Sequence, residues 1–179
     1  RSRGLGDVYK RQILNGNITP QKGSILVNGI PLSDPDCKRQ IGFVPQDDLL
    51  IEELTVFQNL WYTARFCFAD LPNEKIEQKV NTILEELDLL KIKDLAVGSP
   101  IRKTISGGQR KRLNIALELI REPSILYLDE PTSGLSSSDS EKVIILLKEQ
   151  THRGKLVIVN IHQPSSEIYK LFDRLWLLD

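Results

Sequence analysis

The chain has 179 residues, 40% of them hydrophobic, enough for one domain with a sizeable core. Its 24 basic and 24 acidic residues cancel, so bulk charge gives no support to nucleic-acid binding and no nucleic-acid partner is expected. Two cysteines, Cys37 and Cys67, match neither a disulfide framework nor a metal-ligand spacing, which makes a reduced, cytosolic setting the default; no apolar run approaches the roughly 18 residues of a spanning helix.

Methionine is absent, even at position one, and the chain reads as an internal fragment cut at both ends. Residues 2–12 resemble one reading frame of a transposon-end adapter used in preparing sequencing libraries. Residues 1–12 are therefore set aside from the fold reading.

Pro20, Gly23 and Gly29 punctuate a short strand from Ser24 to Asn28, and Ile41 to Val44 forms another before Pro45. Gln46 follows at once, in Val44-Pro45-Gln46-Asp47-Asp48. Thr55 with Gln58 is a capping box opening a helix with Phe57, Leu60, Trp61, Ala64 and Phe68 on one face. That helical spacing makes the aromatics core rather than a base-stacking platform. Pro72 opens a charged helix whose apolar side is Ile76, Val80, Ile83, Leu84 and Leu87, its Lys and Glu residues solvated.

Ser106 with Gln109 is a second capping box, but Gly107 and Gly108 fill the first turn, each costing about 1 kcal/mol relative to Ala. Bare backbone N–H groups at a helix N-terminus make a site for a phosphate-like anion. The helix is expected to run to Arg121, with Leu113, Ala116, Leu117 and Ile120 on its apolar face and Arg110, Asn114, Glu118 and Arg121 opposite. The Arg110-Lys111-Arg112 cluster reads as a solvated face. Next, Ile125 to Leu128 reads as a buried strand ending in Asp129, Glu130 and Pro131, which places two acids at the carboxyl end of a strand, where open α/β sheets bind their ligands.

Ser138 with Glu141 predicts a helix start, continued through Val143, Ile144, Leu146 and Leu147 and ended by Gly154. His152, near its end, reads as a surface residue. Leu156 to Ile161 is a near-continuous apolar strand of the parallel-sheet type, ending at His162. Pro164 and Ser165 turn into a short helix with Ile168, Leu171 and Phe172, and Leu175 to Leu178 begins one more strand.

Ser106-Gly107-Gly108-Gln109, the Arg110-Lys111-Arg112 that follows and the apolar strand ending Asp129-Glu130-Pro131 together resemble the signature motif and Walker B of an ATP-binding cassette (ABC) ATPase. The resemblance covers residues 13–179. It implies an α/β fold of the P-loop NTPase (RecA-like) type, its mostly parallel sheet carried by residues 13–47 and 122–179, with an all-helical subdomain over residues 48–121. The phosphate-binding loop of that family would directly precede Ile13-Leu14-Asn15-Gly16. Gly4 and Gly6 do not form its pattern, so this polypeptide as it stands is expected to bind ATP poorly and not to hydrolyse it.

By the same resemblance Asp129 would hold Mg²⁺, and Gln46, in the Q-loop, would touch Mg²⁺ or the attacking water. Glu130 would be the general base or water orienter, and His162 the switch histidine at the γ-phosphate. Ser106, Gly107, Gly108 and Gln109 would reach the nucleotide held by a second cassette. Ser133, Gly134, Leu135 and Ser136 would be the D-loop, with Ser136 where the family usually has Asp. The Ile161-His162-Gln163-Pro164-Ser165 run is most similar to G-type (White-like) cassettes, including bacterial relatives. That similarity implies ATP and Mg²⁺ as cofactors, a cassette dimer, a transmembrane permease domain downstream on the same polypeptide, export of a hydrophobic substrate, and a place on the cytoplasmic face of the membrane. A soluble ABC clamp acting on ribosomes or DNA and a non-catalytic regulatory cassette stay open as alternatives.

Overall fold

Asn28 and Gly29, with φ of 52° and 82°, form a two-residue hairpin turn of the kind that accepts left-handed residues at both positions. It joins β1 (Leu26–Val27) to antiparallel β2 (Ile30–Pro31), so the strand expected over Ser24 to Asn28 is shorter and turns back on itself. The computed structural model describes residue 20, residues 22–99 and residues 104–176. Residues 1–12 and the Ile13-Leu14-Asn15-Gly16 run lie outside the described residues.

Asp34 caps the short helix α1 (Pro35–Arg39), which buries Cys37 and leads into β3 (Ile41–Val44). Between β3 and the next strand the regular elements are helical: α2 (Val56–Cys67), α3 (Asn73–Glu86), a 3₁₀ turn (Leu90–Ile92) and α4 (Gly107–Leu119). Isolated bridge residues, Thr55 paired with Ala96 among them, interrupt this helical stretch. Both halves of the Thr55 capping box form: Thr55 Oγ1 accepts from the Gln58 N–H at 3.1 Å, and Gln58 Oε1 accepts from the Thr55 N–H at 2.9 Å. Val56, Leu60 and Ala64 then face Ile76, Val80 and Leu84 in a single core. Fully burying each Leu, Ile or Val is worth about 1.5–3 kcal/mol. Phe57 and Trp61 pack against that core half-buried, while Phe68 caps the helix rather than continuing it.

Helix α4 differs from its expected amphipathic form. Arg110, Lys111, Arg112 and Asn114 are buried along with Leu113, Ile115 and Ala116, so the three cations are not a solvated face. A buried cation is tolerable where it is paired and hydrogen-bonded. Arg110 meets this requirement through Asp48 (Nε to Oδ2, 2.8 Å) and the Gly98 carbonyl (2.6 Å). Lys111 is hydrogen-bonded to the Gln46 carbonyl, whereas Arg112 stands 3.7 Å from Asp88 with its Nε unpartnered.

The chain then forms β4 (Ile125–Asp129), α5 (Ser137–His152), β5 (Leu156–Asn160) and α6 (Ser166–Tyr169). The cap of α5 is Ser136, whose Oγ accepts from the Asp139 N–H at 3.1 Å, so the helix starts before the expected Ser138. Its end agrees with expectation: Gly154 at φ 86° follows the Arg153 cap, and His152 is exposed.

Strands β3, β4 and β5 lie side by side in that order, all parallel. Val44, Leu126 and Leu128 of the sheet pack into one core with Leu113 and Ile115 of α4 and Val143, Ile144 and Leu147 of α5. β5 stops at Asn160 and is half-exposed because it is the outer strand of the described sheet. Leu175 and Trp176 are not in a strand, and the rest of the strand expected there lies outside the described residues. Among the described residues no helix is long and apolar enough to cross a membrane.

Candidate active site

The parallel register brings three segments to one edge. Val44 pairs with Leu128 and Leu128 with Val159. Gln46, Glu130 and His162, a step beyond those positions, therefore leave the same carboxyl-terminal edge, which is where such sheets present their ligand sites.

Asp129 closes β4 opposite Asn160, which closes β5. The Asn160 amide donates to Asp129 Oδ1 at 2.9 Å and fixes the carboxylate's orientation. Glu130, next along, has φ 44°, a left-handed conformation that costs an L-residue roughly 1–2 kcal/mol. Two backbone bonds hold it there: its N–H donates to the Asn160 carbonyl at 2.9 Å, and its own carbonyl accepts from the Ser133 N–H at 3.1 Å. Strain held by its surroundings is typical of a functional position.

Glu130 and His162 open onto one cavity of about 330 Å³, lined also by Thr132, Ser133, Leu135 and Gln163. Gly134, at φ 72°, permits the sharp turn that returns Leu135 toward this cavity. An oxygen donor such as Asp129 suits a hard divalent cation, and magnesium commonly takes one or two carboxylates together with phosphate oxygens and water.

The Ser106 turn is built as its spacing predicts. Ser106 Oγ accepts from the Gln109 N–H at 3.1 Å, and Gln109 Oε1 accepts from the Ser106 N–H at 2.7 Å. These residues do not line the Glu130 cavity. A Cβ on Gly107 would meet Leu135 at 3.5 Å, while one on Gly108 would lie 2.8 Å from Asp139 Cγ. Gly108, itself buried, thus has a packing reason that its sequence did not show.

Gln46 is exposed in its turn, and its carbonyl accepts from Lys111 Nζ at 2.7 Å. Burial pushes the Lys111 ammonium below its ordinary pKa, against the opposing pull of the Asp48, Asp47 and Asp129 carboxylates. Asn114 adds two contacts, accepting from the Leu49 N–H at 3.2 Å and donating to the Asp47 carbonyl at 3.4 Å. Lys111, Asn114 and Asn160 were not legible as site-building residues. The one sequence signal was charge balance, three cations on one helix against Asp47 and Asp48 beside Gln46.

The profile of the ABC transporter family matches residues 11–133. The chain belongs to that family. It is 47% identical to the broad substrate specificity ATP-binding cassette transporter ABCG2 of Rattus norvegicus, over 87% of this chain and 24% of that protein. It is 46% identical to ABC transporter G family member 28 of Arabidopsis thaliana, over 87% of this chain and 14% of that one. With ABC transporter G family member 26 of the same plant the identity is 42% over 98% of this chain and 26% of the relative. The chain thus spans about a quarter or less of the length of these relatives, and it corresponds to the ATP-binding domain of a G-type ABC transporter.

Solved structures agree on the fold. The cassette superposes on cbiO1 from Clostridium perfringens, part of the ABC transporter complex cbiONQ, with a TM-score of 0.77 at 29% identity, covering 91% of this chain and 65% of that one. With the ATP-binding cassette MJ0796, in a dimeric post-hydrolysis state bound to ADP and Pi, the TM-score is 0.73 at 27% identity, covering 93% of this chain and 73% of that one. The fold is the α/β fold of P-loop NTPase cassettes.

Proposed function

We propose that this cassette binds ATP with Mg²⁺ and hydrolyses it as one half of a two-cassette clamp, driving export of a hydrophobic substrate through a membrane-spanning partner on the same polypeptide. The observation that carries the reading is the convergence of Gln46, Asp129, Glu130 and His162 at one edge of the parallel sheet. In the assembled protein the cassette sits at the cytoplasmic face of the membrane, with residues 48–121 as its helical arm.

Asp129, oriented by Asn160, would hold a magnesium ion directly or through water, and Gln46 would supply a further oxygen. When bound, such an ion would supply charge neutralisation at the phosphate oxygens. The Glu130 carboxylate orients the attacking water and accepts its proton as the water oxygen bonds to the γ-phosphorus. The bond to the β–γ bridging oxygen breaks, and ADP and phosphate leave. His162, which lines the same cavity as Glu130, contacts the γ-phosphate and registers its loss. Ser106, Gly107, Gly108 and Gln109 present helix N-terminal donors to the nucleotide of the partner cassette, and Ser133, Gly134, Leu135 and Ser136 form the segment between the two sites. ATP closes the pair through contacts to the γ-phosphate, and hydrolysis removes them.

The test is Ser106→Arg in the full-length protein. Turnover is expected to fall on the order of 100-fold or more while ATP binding to the same chain persists. Loss of binding in the chain carrying the substitution, or unchanged turnover, would contradict the proposal.

A further inference from the structure

Lys111 is buried (5% exposed), although an apolar side chain could fill the same place without the cost of desolvating an ammonium. Its Nζ donates to the backbone carbonyl of Gln46 at 2.7 Å, so the bond acts on the backbone of the turn and not on the Gln46 side-chain amide. The same helix grips the turn at neighbouring points, through Arg110 to Asp48 at 2.8 Å and through Asn114 to Leu49 and Asp47. The turn carrying Gln46 therefore rides on α4. Lys111 lies five residues after Ser106, roughly 7 Å along the helix axis, and a hydrogen-bonded helix of that length moves as a rigid piece.

We propose that Lys111 is a positioning residue: it ties the Gln46 turn of one nucleotide site to the helix whose first turn serves the other. A shift of the Ser106 turn against the partner's nucleotide then moves the Gln46 carbonyl with it, and seating of one site sets the geometry of the second. The inference rests on the roles proposed above for Gln46 and for Ser106 to Gln109, and the tie itself can be measured independently of them.

The experiment compares wild type, Lys111→Met and Lys111→Arg in the full-length protein, by hydrogen exchange over residues 46–49 and by turnover against ATP concentration. The lost bond is a charged one, so exchange in the methionine variant is expected to rise on the order of 10-fold, with arginine restoring protection. Turnover at saturating ATP is expected to fall on the order of 10- to 100-fold, with half-saturation little changed and cooperativity in ATP lost, and arginine again restoring most of both. Lys111→Gln, whose amide is too short to reach Gln46, replaces the methionine variant if that variant is recovered unfolded, with the same expectations. Unchanged exchange overturns the tie. Raised exchange with normal turnover and cooperativity, or a loss that arginine does not restore and that follows the thermal midpoint, overturns its role between sites. Absent turnover in wild type would instead discredit the proposed ATPase, while the exchange result still decides the tie.

Discussion

The Asn160 side-chain amide donates to Asp129 Oδ1 at 2.9 Å from the directly paired position on the neighbouring strand. The sheet, not a loop, sets the direction of this carboxylate. Partners that orient a metal-binding carboxylate typically affect metal affinity 10- to 100-fold. Asn160→Leu in the full-length protein is therefore expected to raise the Mg²⁺ concentration needed for half-maximal turnover by about that factor. An unchanged Mg²⁺ dependence would remove Asn160 from this role.

Gly108 is held between two helix starts. An added Cβ would lie 2.8 Å from Asp139 Cγ and 3.1 Å from Asp139 Cβ, and Asp139 cannot swing away easily because its carboxylate accepts from Ser136 Oγ at 3.0 Å. Overpacking of this kind costs about 1–3 kcal/mol. In urea denaturation Gly108→Ala should lose stability by that amount, and lose less in an Asp139→Ala background. Equal losses in the two backgrounds would show that the contact is not the cause.

Two capping boxes with the same geometry allow a controlled comparison. Thr55→Ala and Ser106→Ala each remove the side-chain acceptor of an N3 amide and should each cost about 0.5–2 kcal/mol. Turnover separates them. Only Ser106→Ala is expected to lower it, by about tenfold or more, because only that cap is proposed to serve a nucleotide. Equal turnover in the two variants would argue that the Ser106 turn is structural.

Glu118 contributes a pH signature. Burial raises its carboxyl pKa above the ordinary 4.5, against lowering by Arg121 and by the Phe43 N–H. The folded state therefore binds this proton more readily than the unfolded state. The cost of keeping the carboxylate ionised is present in full above the raised folded value, falls as pH drops through it, and is gone below the unfolded value of about 4.5. The stability of wild type relative to Glu118→Gln should thus rise as pH falls from 7 toward 4, measured as paired urea midpoints. A difference that stays flat or declines would contradict the burial effect.

Local rules fixed much of this fold in advance. The caps at Thr55 and Ser106, the bounds of β3, the end of β4 at Asp129 and the glycine after α5 depend on residues a few positions apart, and each was legible. The burial of Arg110 and Lys111 was not, because their partners Asp48 and Gln46 lie 62 and 65 residues away and the helix pattern alone makes three adjacent cations look solvated. The start of α5 differs from the expected Ser138 because Ser136, Ser137 and Ser138 are chemically equivalent caps, and only backbone geometry selects among them. The site residues are legible through the resemblance of their motifs. The parallel register supplies what the motifs could not, a common edge for Gln46, Glu130 and His162.

The most direct measurement uses full-length protein carrying Glu130→Gln, with ATP and Mg²⁺, following turnover and the association state of the cassettes by light scattering. The expected result is retained ATP binding, turnover reduced on the order of 100-fold or more, and a cassette pair that stays closed. Unchanged turnover, or a pair that opens as readily as wild type, would contradict the role of Glu130 and with it the proposed ATP-driven clamp.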